Sequence, residues 1–258
     1  MTWSAYALML ATLAVIGFGF WVHSVFRKDV SAVDSLWSLM FLIVTVGYAL
    51  QVGIGEPRGW LVVVLVAAWS LRLSAYITTR NHGEGEDHRY QKIRENNEPG
   101  FWWKSLYIVF GLQALLAWLV AMPLAVAVAS DAPLGWLDVA GVTLWVVGMV
   151  FEVGGDAQLA RFKANPDNEG KVLDSGLWRY TRHPNYFGEF TLWWGYYLLA
   201  VSAGGWWTLL SPLLMSFLLL RVSGVALLEK DIGERRPRYR DYIERTNAFF
   251  PGPPKSAA

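Results

Sequence analysis

The chain has 258 residues, 54% of them hydrophobic, with a mean hydropathy of +0.31 and a formal net charge of +1. It is too apolar for an ordinary soluble domain, and so small a net charge gives no electrostatic reason to expect a nucleic-acid partner. The absence of cysteine excludes disulfides, thiolate metal sites and cysteine nucleophiles.

Seven apolar stretches are long enough to span a bilayer: residues 4–26, 35–53, 60–77, 106–129, 134–151, 186–202 and 206–228. They predict an all-α polytopic membrane protein of about seven transmembrane helices, built as one domain over 1–258. The first stretch has no basic residue before it, and Arg27 and Lys28 follow it. That is the pattern of a retained span rather than a cleaved signal. Fifteen tryptophans suit interfacial anchoring. The last residues, 251–258, read as a short frayed tail.

Charge sets the expected topology. The loops after the first, third, fifth and seventh spans hold 19 of the 22 Lys and Arg residues; Arg72 and Arg221 lie within spans, and Arg58 alone falls on the opposite side. The positive-inside rule then puts the amino terminus outside and the carboxyl terminus in the cytoplasm. The cytoplasmic loops 79–104 and 159–181 are long and polar, so chemistry with a charged, soluble reactant is expected on that side.

Several ionisable residues lie in or beside the spans: Asp34, Arg72, Glu152, Asp156, Glu189, Arg221 and Glu229. Each costs roughly 2.5–3.5 kcal/mol near a span's centre. One or two such groups would read as mutual neutralisation; seven, gathered toward one half, read as a polar cavity. The loop 161–182 is basic enough to signal topology or touch anionic lipid. It also carries the Lys and Arg residues that recognise phosphates, with Lys163, Lys171, Arg179 and Arg182 as candidates. No Gly-x-Gly-x-x-Gly or Walker A pattern is present, so a nucleotide would have to bind among helices. The four histidines show no ligand spacing, and no metal site is expected. Residues 229–245 read as an amphipathic surface helix.

The most informative stretch runs Leu177-Trp178-Arg179-Tyr180-Thr181-Arg182-His183-Pro184-Asn185-Tyr186-Phe187-Gly188-Glu189, followed by Trp193-Trp194-Gly195. Asn185 and Glu189 are spaced i, i+4 and share a helix face. This stretch resembles the carboxyl-terminal signature of the steroid 5α-reductase superfamily. With Asp34-x-x-Trp37, Trp69-x-x-Arg72 and Gly85-Glu86-Asp87-x-Arg89-Tyr90, the chain is similar to the bacterial DUF1295 branch. The resemblance implies a seven-helix fold with NADPH in the cytoplasmic half, its signature within residues 150–250. It implies hydride transfer to an enone carbon–carbon double bond of a steroid-like or isoprenoid lipid. Arg72, Asp156, Lys163, Lys171, Tyr180, Asn185 and Glu189 are the cofactor contacts it suggests, with Arg182, His183 and Tyr186 from the motif itself. The steroid reductases hold the substrate carbonyl with a Gln-Glu pair and a Tyr. This chain has no Gln-Glu, and the tyrosine position falls on Trp69, so Asp34 and Tyr76 are the expected substitutes.

Such a reduction needs a hydride at one carbon, a proton at its neighbour and a donor to the carbonyl oxygen. The alternative class is an integral-membrane methyltransferase of the isoprenylcysteine or phospholipid type, which has a similar Arg-His-Pro-x-Tyr segment and uses S-adenosylmethionine. Asn185, the run Phe187-Gly188-Glu189 and the long basic loop favour the reductase. A non-catalytic membrane scaffold is the third class, and the density of polar residues in the inner half argues against it.

Overall fold

The first three apolar runs fold as long helices in the computed structural model, which describes residues 1–222, 224, 225, 229 and 239–255. They are α1 (Trp3–Arg27), α2 (Ala32–Val52) and α3 (Arg58–Asn81), each slightly longer than the apolar run beneath it. Gly53 ends α2 at φ 94°, a conformation that favours a residue without Cβ. The polar helix α4 (His88–Asn97) starts where the Asp87 carboxylate accepts from the Arg89 backbone N–H at 2.9 Å.

The fourth run departs from the expected single span. It divides into a π-helical segment Leu106–Gly111, α6 (Leu112–Val120) and α7 (Met122–Val128), and the helix reaches back before the run through α5 (Phe101–Ser105). Pro123 has no N–H to continue the ladder, and it sits in the first turn of a new helix, where a missing donor costs nothing. Phe101–Val120 is still long and apolar enough to cross a membrane, as are α1, α2, α3 and α8 (Trp136–Ala164). Several of these helices turn apolar side chains outward: Val15 is 71% exposed and Val139 68%. That is the surface of a chain whose solvent is lipid.

The helices α1–α7, with Ala200–Gly205, form one compact unit. In lipid the hydrophobic effect does not drive helices together, so close packing and hydrogen bonds must. Tyr6 stacks on Trp118 at 5.1 Å and donates its hydroxyl to the Trp118 carbonyl, while the Trp118 indole donates back to the Tyr6 carbonyl at 2.8 Å. Ser38 of α2 donates to the Ser70 carbonyl of α3 at 2.9 Å. Arg58, the exception to the charge bias, is fully buried. Its Nη1 donates to Ser130 Oγ (3.0 Å) and the Ala132 carbonyl (2.9 Å), and its Nη2 to the Pro133 carbonyl (2.8 Å) and Ser202 Oγ (2.9 Å). It is a structural knot at the end of α3 and not a topology signal.

Gly135–Leu199 and Trp206–Ala258 form the second compact unit. The helix α8 starts with Asp138 accepting from the Gly135 N–H at 2.8 Å, and it runs 29 residues, well past the expected end near 151. The sixth run forms α9 (Pro184–Ser202). It is not among the five helices apolar enough to span, because Asn185, Glu189, paired tryptophans and three tyrosines lower its hydropathy. The seventh run begins as a 3₁₀ turn (Trp206–Leu209) and continues as α10 (Leu210–Phe217) and a π-helical segment Leu218–Val222. Of the expected surface helix, Glu229 and α11 (Tyr239–Arg245) fall among the described residues; 230–238 lie outside them.

Glycines set the spacing of α8 and α9. A Cβ on Gly148 would meet the Gly188 carbonyl oxygen at 2.6 Å, and one on Gly188 would meet the Glu152 nitrogen at 2.4 Å. One heptad on, Gly141 and Gly195 face each other in the same way. The backbones therefore touch along a seven-residue repeat. The expected frayed tail is tied down as far as Lys255: the Gly252 N–H donates to the Tyr180 carbonyl at 3.0 Å, and the Lys255 N–H to the Arg245 carbonyl at 2.9 Å.

This packing makes a prediction. Gly148→Ala forces two backbones apart and should destabilise the protein by about 1–3 kcal/mol. Gly19→Ala, where an added Cβ meets nothing within 4 Å, should be neutral or stabilise by up to about 1 kcal/mol through helix propensity. Thermal unfolding in detergent, followed by helical signal, separates the two; equal midpoints would show that α8 and α9 do not pack this way.

Candidate functional site

In the second unit the site is built on the α8–α9 contact. Because the glycines bring the backbones together, polar residues one turn further along lie between the helices. Asn185 Nδ2 donates to Asp156 Oδ1 at 3.1 Å, and Asn185 Oδ1 accepts from the Tyr186 N–H at 3.1 Å. Asp156 is 5% exposed, and Glu152, one turn before it on α8, is 2% exposed. Glu189 is half-buried, one turn beyond Asn185 on α9. The structure thus joins two of the expected cofactor residues directly and gathers three carboxylates and an amide on adjoining helices. Lys163, in the last turn of α8, and Lys171 and Tyr180, on the segment that follows it, are exposed.

The loop leading into α9 is held from two directions. On the α8 side, Gln158 Oε1 accepts from the Leu177 N–H at 2.9 Å, and the Trp178 indole donates to the Gly155 carbonyl at 3.1 Å. On the tail side, the Arg182 N–H donates to the Asn247 carbonyl (2.9 Å), Thr181 Oγ1 to the Phe249 carbonyl (2.8 Å) and the Tyr242 hydroxyl to the Trp178 carbonyl. Phe187 and Phe190 of α9 pack edge-on against Phe249 at 6.0 and 5.4 Å.

Arg182 and His183 are both buried and converge on Glu229. Arg182 grips that carboxylate through Nε (2.7 Å) and Nη2 (2.8 Å), and His183 Nε2 lies 2.9 Å from it. Arg182 Nη1 donates to the Thr246 (2.5 Å) and Ile243 (3.1 Å) carbonyls. Four of the five guanidinium donors are thereby taken. Burial opposes ionisation of Glu229, but hydrogen bonds from Arg182 and His183, with their charge, outweigh it and bring the carboxyl down to about 2. His183 also stacks on Tyr186 at 5.8 Å.

The first unit holds the other expected residues. Asp34, in the first turn of α2, accepts from Arg89 Nη2 and from the Tyr90 hydroxyl, both at 2.5 Å. Arg89 also binds Asp87 through Nε and Nη2, each at 3.0 Å, and the Asp87 N–H donates to Ser31 Oγ at 2.8 Å. Next to it, Arg94 forks onto Glu86 at 2.8 Å twice, and Glu86 accepts from the Val30 N–H at 3.1 Å. The 86–94 segment is thus fastened to the α1–α2 junction. Arg72 and Tyr76 are half-buried on α3, Arg72 one turn beyond the fully buried Trp69.

The sequence reading counted Glu229 among the ionisable residues beside the spans but gave it no part in the site and did not pair it with Arg182 and His183, nor Arg89 and Tyr90 with Asp34. A carboxylate placed directly after an apolar span was the available sign for Glu229. For Arg89 and Tyr90 it was a motif quoted without a partner.

The family described as a protein of unknown function, DUF1295, matches residues 20–246. An uncharacterized protein of Schizosaccharomyces pombe is 28% identical over 268 residues, covering 92% of this chain and 77% of its own length. The 3-oxo-5-alpha-steroid 4-dehydrogenase 1 of Bos taurus is 35% identical over 66 residues, and the steroid 5-alpha-reductase DET2 of Gossypium hirsutum 36% identical over 67 residues. Each of these two matches covers 26% of this chain and 26% of the steroid enzyme. No solved structure matches the chain. With a match over most of its length, this all-helical membrane chain belongs to the DUF1295 family and carries a more distant similarity to the steroid 5-alpha-reductases.

Proposed function

We propose that this protein is a membrane-embedded, NADPH-dependent reductase of an enone carbon–carbon double bond in a steroid-like or isoprenoid lipid. The observation that carries the proposal is the Asp156–Asn185 hydrogen bond between α8 and α9, with Glu152 and Glu189 one turn away on the same helices. An amide with several carboxylates suits the carboxamide and ribose hydroxyls of a nicotinamide nucleotide. Exposed Lys163 and Lys171 suit its phosphates. The partial similarity to steroid dehydrogenases and reductases supports the reaction class. NADPH, when bound, supplies the hydride.

Within this reading, Asp156, Asn185, Tyr186 and Glu189 bind and orient the nucleotide, with Arg72, Lys163, Lys171 and Tyr180 as further contacts. Arg182 and His183 act through position: they lock the turn from which α9 and Asn185 emerge. Asp34 and Tyr76 are the residues proposed for the substrate carbonyl. As the ion-pair partner of Arg89, Asp34 accepts hydrogen bonds and has none to give. The phenol it holds is Tyr90, whose one O–H is given to Asp34, so the donor proposed for the carbonyl is the Tyr76 hydroxyl. We also propose that the amino terminus faces outside and the carboxyl terminus the cytoplasm, on the strength of the 19 basic residues in alternate loops.

Two outcomes test the proposal. Purified protein in detergent should bind NADPH more tightly than NADH, and Lys171→Ala should weaken NADPH more than NADH if Lys171 holds the extra phosphate. Equal losses would make it a general phosphate contact. Binding of S-adenosylmethionine with no binding of either nicotinamide nucleotide would overturn the reductase reading. Glu189→Gln keeps the shape of the side chain and removes its charge. If Glu189 is a nucleotide ligand, the variant stays folded and loses NADPH binding. If it is a structural ion-pair member, stability falls by roughly 3–5 kcal/mol. A folded variant with unchanged affinity and turnover removes Glu189 from the site.

A further inference from the structure

An open cleft of about 360 Å³ lies between residues 174–179 and the tail segment 245–255 of the second unit. Its lining includes Asp174, Ser175, Arg179, Arg245, Thr246 and Lys255, that is, three cations, two hydroxyls and one carboxylate. Asp174 meets Arg245 at 3.6 Å, both side chains are half-exposed, and such a loose surface pair is worth little. Two positive charges therefore remain uncompensated among the lining residues. The walls are fixed by hydrogen bonds to backbone carbonyls. The Lys255 N–H donates to the Arg245 carbonyl at 2.9 Å, Arg245 Nε to the Asp241 carbonyl at 3.2 Å, and the Gly252 N–H to the Tyr180 carbonyl at 3.0 Å. Arg182 holds the Thr246 carbonyl from behind. The rim is thus assembled before any ligand arrives, which lowers the ordering cost of binding.

We infer that this cleft is an anion site that takes a phosphate group, held by the guanidinium groups of Arg179 and Arg245 and the ammonium of Lys255. Guanidinium groups recognise phosphate oxygens in a bidentate way, a lysine adds a point charge, and the Ser175 and Thr246 hydroxyls can donate to the same oxygens. The phosphate can come from a soluble phosphate ester or from the headgroup of an anionic phospholipid; the chemistry of recognition is shared. The inference does not rest on the reductase reading, since Asp156, Asn185 and Glu189 do not line the cleft.

The test uses the full chain purified in detergent. One arm measures the unfolding midpoint against inorganic phosphate, with chloride at equal ionic strength as control. The other places the protein in mixed micelles of phosphatidylglycerol and phosphatidylcholine and measures retained lipid by native mass spectrometry. Both are repeated on Arg179→Gln/Lys255→Gln, which alters two exposed side chains, and on each single substitution in case the double variant folds poorly. Phosphate should raise the midpoint of the wild type by several degrees, with an apparent affinity at least tenfold weaker in the double variant. That result identifies a soluble phosphate as the source. No phosphate effect, with phosphatidylglycerol retained at least tenfold more by the wild type than by the variant, identifies the headgroup. If wild type and variants behave alike in both arms, the cleft is not an anion site.

Discussion

A charge set beside hydrocarbon must bring its partner with it, and every ionised cluster described in this chain obeys that constraint. Arg58 reaches four oxygens, one of them on Ser202, 144 residues away in sequence. Asp34 takes Arg89 and Tyr90 from 55 and 56 residues on. Arg182 and His183 share Glu229. In water such links would be worth little. At a membrane protein's core the alternative is an unsatisfied group, and removing one partner strands the other. The clusters therefore dictate where loops must lie. The 86–94 segment is drawn to the head of α2, and the chain after α11 is drawn to the loop before α9, because charges in the spans or at their ends need them there.

The same logic explains why the α8–α9 contact is made of glycine. Lipid tails are as apolar as leucine, so two helices gain little by burying apolar surface against each other. They gain by approaching closely enough for backbone contact. The repeat Gly141, Gly148 and Gly155 on one helix against Gly188 and Gly195 on the other allows this. Close approach then brings Asp156 within 3.1 Å of Asn185. The polar pair proposed to meet the cofactor is a consequence of the packing that precedes it along the two helices.

What could be read in advance divides along the range of the interaction. Spans α1 to α3 were legible because apolar length is a local property, and the structure moves their ends by only a few residues. The break at Pro123 was also local and was passed over, since the apolar run continues across it. The full length of α8 was hidden because Glu152 and Asp156 look like the end of an apolar run; they stay helical since their side chains turn toward α9 rather than lipid. The glycine repeat was visible in the letters but meaningless until two helices were paired. The ties holding the tail, from Gly252 to Tyr180 and from Thr181 to Phe249, belong to no local pattern at all. In the candidate site, Asp156, Asn185, Glu189 and Glu229 were all noticeable by their placement near spans, but what Glu229 does there could be read only once its distant partners Arg182 and His183 were known.

Arginine and lysine divide the work around the site according to their geometry. A guanidinium is a flat fork of five donors and serves best where several acceptors can be fixed around it. Arg182 uses four donors on a carboxylate and two carbonyls, and Arg89 and Arg94 grip carboxylates in the same manner. Such an arginine has little left for a ligand. An ammonium on a flexible stem gains less from a rigid nest and stays available, as the exposed Lys171 and Lys255 do. The Arg182-His183 pair is the most conspicuous part of the signature and invites assignment to a phosphate. Four of the five Arg182 donors go to Glu229, Ile243 and Thr246; in the reading proposed above, the residues that stand out in sequence hold the site in place, and quieter neighbours meet what binds there.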